Sequence, residues 1–133
     1  MFRRVHHIAF VVEDLDAAAA RFETAFGMDL VTRDEMTGDF ELEVALYRLG
    51  ETIVELITPT TESGWVYEFW RDNGDGFFHI AFEVADIRES MATLQESGIR
   101  FEHDEPQQGF DWLVATMNPE DTLVPMQVVE TVD

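Results

Sequence analysis

Two histidines and two oxygen-bearing side chains recur in this chain at one fixed interval. The phrase "HIAFVVEDLDAA" begins at His7, and "HIAFEVADIRES" begins at His79, 72 positions later (79 − 7). The same shift carries Glu55 in "TIVELIT" onto Gln127 in "LVPMQVV" (127 − 55). Imidazole, carboxylate and amide oxygen together form a donor set for a divalent cation such as Co²⁺, Mn²⁺, Fe²⁺, Ni²⁺ or Zn²⁺. If the two copies are related by a pseudo-twofold axis, all four groups converge on one point, and each copy supplies half of a metal site. A lone strand histidine is more often a core or surface residue. His6 and His103, which have no partner at this interval, are read that way.

The parity of the strands supports this placement. In "VHHIAFVVE", His7, Ala9 and Val11 share one face, and Ile8, Phe10 and Val12 share the other. The bulkier face suits the underside of a helix, and the smaller one suits a cavity wall. In "FFHIAFEV" the same division groups His79 with Ala81 and Glu83. Glu55 lies between Val54 and Leu56, and Gln127 between Met126 and Val128. A carboxylate inside an apolar strand is costly to bury unless it is paired or bound to metal.

The elements that must position these residues also repeat. Residues 4–12 alternate as a strand. Asp14 caps a helix through about Phe26, with Leu15, Ala18, Ala19, Phe22 and Phe26 inward and Gly27 as its stop. Strands follow at 29–34, 40–48 and 51–58, with turns at 37–39 and at Gly50-Glu51. The second copy gives a strand at 77–84 and a helix capped by Asp86 and Glu89, with Ile87, Met91 and Leu94 inward and Gly98 as its stop. Strands at 99–103, 110–117 and 122–130 complete it, with a turn at Asn118-Pro119. Between the copies, "PTTESGWVYEFWRDNGDG" holds room for a short helix carrying Trp65, Phe69 and Trp70. The expected fold is therefore α+β, two βαβββ modules. Module 1 covers about 1–60, the linker about 61–75 and module 2 about 76–133, and they fold as a single domain because neither half is large enough alone.

Composition narrows the function. The 133 residues carry 28 Asp and Glu against eight Arg and no Lys, a net charge of −20. Nucleic acid is an unfavourable partner for such a surface. No apolar run approaches the ~18 residues of a membrane span, and the start of the chain reads as a first strand, not a signal peptide. Cysteine is absent, which excludes disulfides and thiolate chemistry and fits a cytoplasmic protein. Carboxylates in excess with lysine excluded resemble the surfaces of proteins from salt-loving (halophilic) organisms, where ions screen self-repulsion.

The segments "HHIAFVVEDLDAA", "LGETIVELITPT", "NGDGFFHIAFEVADI" and "GIRFEHDEP" resemble the vicinal oxygen chelate superfamily, and most closely its methylmalonyl-CoA epimerase-like branch. The resemblance covers nearly the whole chain. It implies an eight-stranded open, half-barrel sheet enclosing a metal cavity, and a homodimer. It also implies a divalent metal ion held by His7, Glu55, His79 and Gln127. It departs at the third strand, where "FELEVALY" sets Phe40 and Glu41 in place of a Gln-Gly pair and Val44 in place of a catalytic Glu. In the last loop, "PQQGFDWLVATMNPEDT" replaces a Gly-rich, Lys-bearing stretch, and Trp112 suggests a bulkier or more apolar pocket.

A metal-held carbonyl or enediolate suits proton transfer through an enolate. Glu55 is the candidate base, whereas Gln127 has no useful proton affinity. This asymmetry suits a one-base isomerase or lyase acting on a small-molecule carbonyl substrate. An acyl-CoA epimerase and a glyoxalase I-like enzyme acting on a thiol adduct both fit. The alternatives are an extradiol-type dioxygenase, and a non-catalytic binding protein of the bleomycin-resistance type with an aromatic cavity for a planar guest.

Overall fold

The first strand, β1 (Arg4–Val11), alternates Val, Ile and Phe as a pleated, half-buried segment requires. In the computed structural model, which describes residues 1–38 and 40–131, it is followed by α1 (Leu15–Thr24), β2 (Asp29–Met36), β3 (Leu42–Leu49) and β4 (Thr52–Pro59). Next come α2 (Trp65–Asn73), β5 (Gly76–Glu83), α3 (Ile87–Glu96), β6 (Gln107–Gln108), β7 (Trp112–Thr116) and β8 (Met126–Thr131). The repeated βαβββ order is thus observed, with α2 in the connection. The eight strands form one hydrogen-bonded series, β2-β3-β4-β1-β5-β8-β7-β6.

The chain packs as two compact units, and the boundary runs through β1. One unit comprises Ile8–Phe78. Here β2, β3 and β4 form an antiparallel meander. The hairpin between β3 and β4 closes Leu49 on Thr52, with Gly50 at φ 65°. A left-handed backbone at the first position of a two-residue loop favours glycine. Ala45, Tyr47, Val54 and Leu56 meet Leu15 of α1, with Phe10, Val12, Ala18, Phe22 and Met28 packed around them. Trp65 and Phe69 of α2 each bring their rings to 4.7 Å from Phe78.

The other unit comprises Met1–His7 and His79–Asp133. In it β5 pairs in parallel with β8, Ala81 opposite Gln127, and β8 pairs antiparallel with β7, Gln127 opposite Thr116. Its core joins Val84, Ile87 and Met91 to Ala115, Met117 and Val128, with Leu94, Ile99, Phe101, Leu113 and Met126 alongside. Both helices begin on the aspartates expected. Asp14 accepts from the Ala17 N–H and Asp86 from the Glu89 N–H, each satisfying a donor that the first turn leaves open.

Three expectations need correction. The first helix ends at Thr24, so Phe26 lies beyond it and is exposed, touching Phe22 with its ring edge. The strand expected at 99–103 is reduced to a single bridge between Phe101 and Met117, and the pairing edge is supplied by Gln107–Gln108. The stretch between them, "EHDEP", carries three carboxylates and ends in Pro106, which has no N–H to give to a ladder. The last strand starts at Met126 because Pro119–Asp121 forms a 3-10 turn capped by Asn118. The turn expected at 37–39 reaches Asp39, which lies outside the described residues. Among the described residues, no helix is long and apolar enough to cross a membrane.

Candidate metal centre

His7, His79 and Gln127 belong to one unit, and the fold brings them together there. His7 is on β1 and His79 on β5, and their Nε2 atoms lie 3.1 Å apart. Gln127 on β8 hydrogen-bonds to His7 and favours its protonated form. The amide nitrogen of Gln127 donates to Thr116 Oγ1 at 3.2 Å. The cross-strand register that sets Thr116 opposite Gln127 therefore holds that amide, and its oxygen is left for the histidine side. Ala81, fully buried, stands opposite Gln127 two residues along from His79, so the smallest side chain of β5 lies on the face of the donors. This is the parity read from "HIAFEV".

Electrostatics keep these rings neutral. Burial pushes the His79 imidazole down to about 3. Burial also lowers His7 well below its usual value, with His79 and then His6 adding to the effect and Gln127 opposing it. A neutral imidazole carries the lone pair that a cation needs.

Glu55 belongs to the other unit. Its neighbours Val54 and Leu56 enter the α1 core as expected, which turns the carboxylate to the opposite face of β4. On that face it stands across from Leu46, and the adjacent pair is Val44 with Ile57. All of these side chains are buried. Burial raises the Glu55 carboxyl to about 8, since hydrocarbon disfavours its charged form. Glu43 has the other parity and ion-pairs with Arg33 at 3.0 Å.

Sequence reasoning missed two contributors to the surroundings of His7 and noted a third only for its bulk. His6, read as an ordinary core or surface residue, is buried, and its Nδ1 lies 2.8 Å from Nδ1 of His7. Burial pushes His6 down to about 4, with Arg4 adding and Glu83 opposing. Thr116 was legible only through the β7–β8 register. Trp112, noted as bulky, lies 4.6 Å from the His6 ring and 5.5 Å from the His7 ring. It packs so closely on Gly109 that a Cβ there would meet the indole nitrogen at 2.6 Å, so any side chain at 109 would have to displace the indole. Glu83, grouped with His79 by parity, ion-pairs with Arg4 and accepts from Thr131 at 3.2 Å. Burial raises its carboxyl, but these contacts outweigh that and bring it below its usual value. His103, given the same core-or-surface reading as His6, is exposed.

Residues 6–116 match the model of the glyoxalase/bleomycin resistance protein/dioxygenase superfamily. The chain belongs to that superfamily. Among the superfamily's curated members, the ethylmalonyl-CoA/methylmalonyl-CoA epimerase of Cereibacter sphaeroides is 34% identical over 102 residues, 75% of each chain. A variant of the Streptomyces coelicolor methylmalonyl-CoA epimerase, solved in complex with 2-nitronate-propionyl-CoA, superposes with a TM-score of 0.95 at 25% identity, covering 100% of both chains. The methylmalonyl-CoA epimerase of Mycobacterium tuberculosis gives 0.93 at 24%, covering 99% of this chain and 90% of that one, a likeness of fold.

Proposed function

We propose that this superfamily member is a metal-dependent isomerase or lyase that moves a proton on the carbon beside a carbonyl, with His7, Glu55, His79 and Gln127 holding the cation. The observation that carries the reading is the buried His7–His79 pair. Two neutral imidazole nitrogens 3.1 Å apart suit a shared cation whose bonds are about 2.0–2.1 Å long. The donor set agrees: two imidazoles, a carboxylate and an amide oxygen, all on buried residues. When bound, such a cation polarises a carbonyl oxygen and stabilises the enolate left by loss of the neighbouring proton.

The chain's own residues supply the rest. Glu55 carries the proton, since a ligand carboxylate can leave the cation while the other three donors hold it, and the hydrocarbon around it then favours its protonated form. Gln127 orients but does not titrate. The β3 residues on the face of Glu55, namely Leu42, Val44 and Leu46, are buried hydrocarbon, and Val44 stands where the resemblance would put a further acid. That observation favours one-base chemistry over an epimerisation shared between two carboxylates. The epimerase relatives make a coenzyme A thioester the first substrate to try. Repulsion of its phosphates by the acidic surface fades at molar salt, where the screening length is about 3 Å.

The test joins metal analysis to solvent exchange. Purified protein is expected to carry one divalent cation per chain and to incorporate deuterium from D₂O beside the thioester carbonyl of methylmalonyl-CoA. His79→Ala should lose the cation, and Glu55→Gln should lose the exchange. Unchanged cation content in both variants, or no exchange by metal-loaded wild type with acyl-CoA or thiol-adduct substrates, defeats the proposal.

A further inference from the structure

We propose that His6 is a positioning residue that accepts the Nδ1–H of His7 and thereby holds the His7 ring with its Nε2 lone pair toward His79. The inference rests on the metal-site reading of His7 and His79. It concerns a residue that the 72-residue repeat does not single out, since its counterpart in the second copy is Phe78.

The geometry leaves few arrangements. The two Nδ1 atoms are 2.8 Å apart, so a single hydrogen lies between them and one ring must be the acceptor. If His6 donates, His7 must carry its own hydrogen on Nε2, the atom 3.1 Å from His79 Nε2, and that nitrogen has no pair to give a cation. If His7 donates to His6, its Nε2 keeps the lone pair a cation needs, and the Gln127 oxygen that favours a protonated His7 in the metal-free protein would turn to the cation instead. Only the second arrangement is compatible with coordination by His7. A metal-bound imidazole ordinarily donates its other N–H to a carboxylate, carbonyl or water, and here a second imidazole occupies that place.

Packing keeps His6 in position to accept. Its ring is buried, 2% exposed, and meets the Trp112 indole edge-on at 4.6 Å. The same indole lies 5.5 Å from His7 and rests on Gly109 and Phe110. Rotation of His6 would replace its Nδ1 by carbon at the His7 contact and break the 2.8 Å hydrogen bond. Consecutive strand residues start on opposite faces, so this approach of neighbouring rings is a feature of the folded site and not of strand parity.

The experiment uses full-length protein labelled with ¹⁵N at histidine and titrated with Zn²⁺. In the zinc-loaded wild type, a scalar coupling between the Nδ1 nuclei of His6 and His7 is expected. It should be accompanied by an exchange-protected proton assigned to His7 Nδ1. His6→Leu should lose both signals and weaken zinc binding, measured by chelator competition, by about 10–100-fold. His6→Gln, whose carbonyl oxygen can accept, should recover most of that affinity. If the wild type binds zinc but shows no coupling, or if a folded His6→Leu binds zinc as tightly as wild type, the role of His6 is overturned while the metal site stands. If the wild type binds no zinc or other divalent cation, the metal-site reading itself has failed, and this inference with it.

Discussion

The two βαβββ modules share a plan and differ in what their last strands carry. Module 1 finishes in two eight-residue strands, β3 and β4, paired along their full length, with Glu55 inside the ladder. Module 2 finishes in a two-residue β6, a five-residue β7 and a six-residue β8, with Gln127 facing Thr116. The carboxylate stands beside hydrocarbon, which raises its proton affinity, whereas the amide is tied to a hydroxyl that fixes its direction. One half therefore carries a group able to take and give a proton, and the other an amide that cannot. A strictly symmetric site would offer either two bases or none.

The sharpest way to break this asymmetry is to exchange the two functional groups. Glu55→Gln should cut deuterium exchange by about 10²–10⁴-fold, the usual worth of a positioned acid–base group. Gln127→Glu should instead keep exchange within about tenfold of wild type and add a second titrating group to the pH–rate profile. Equal losses in the two variants would show that the modules are functionally equivalent after all.

A smaller effect follows from the pH dependence of stability in metal-free protein. The Glu55 carboxyl is raised from 4.5 to about 8, so the folded chain retains a proton that the unfolded chain has released. Stability from this group is full below about 4.5 and is lost as pH rises toward 8. The imidazoles act in the opposite sense. His79 falls from 6.5 to about 3, His6 to about 4, and His7 well below 6.5. Below 6.5 the unfolded chain takes up protons that these rings refuse, so there stability falls as pH falls. Between 4.5 and 6.5 three imidazoles outweigh one carboxyl, and above 6.5 only Glu55 remains. The contribution of these groups therefore peaks near pH 6.5 and declines toward pH 8 by up to about 1.4 kcal/mol per pH unit. Denaturant titrations across pH should trace this decline, and a divalent cation should abolish it. No alkaline decline would mean that Glu55 ionises without penalty in the folded chain.

The smallest expected effect examines where the modules agree. Asp14→Ala and Asp86→Ala each remove a side-chain cap from an equivalent helix. Each should cost about 1 kcal/mol in chemical denaturation. A difference well beyond that between them would show that one helix depends on its cap far more than the other.

Much of this was legible before any coordinates. Strand alternation and the aspartate caps marked β1, α1, β5 and α3, and the 72-residue offset selected His7, Glu55, His79 and Gln127. Parity at Val54 and Leu56 located the helix side of β4, and therefore the turn of Glu55 away from it. The strand expected at 99–103 failed because local apolar character at Ile99 and Phe101 says nothing about a pairing partner. Acidic residues and Pro106 leave that stretch without a ladder.

Residue types and their periodicity acting over a few positions, together with one long repeat, determined the elements, the modules and the identity of the proposed donors. Tertiary structure decided their mutual arrangement: the 3.1 Å approach of two imidazoles, the hold of Thr116 on Gln127, and the contact of His6 with His7. Proton affinities were decided there too. The same carboxyl titrates near 4.5 in water and near 8 beside Leu46 and Val44, because desolvation depends on what surrounds a group and not on which residues precede it in the chain.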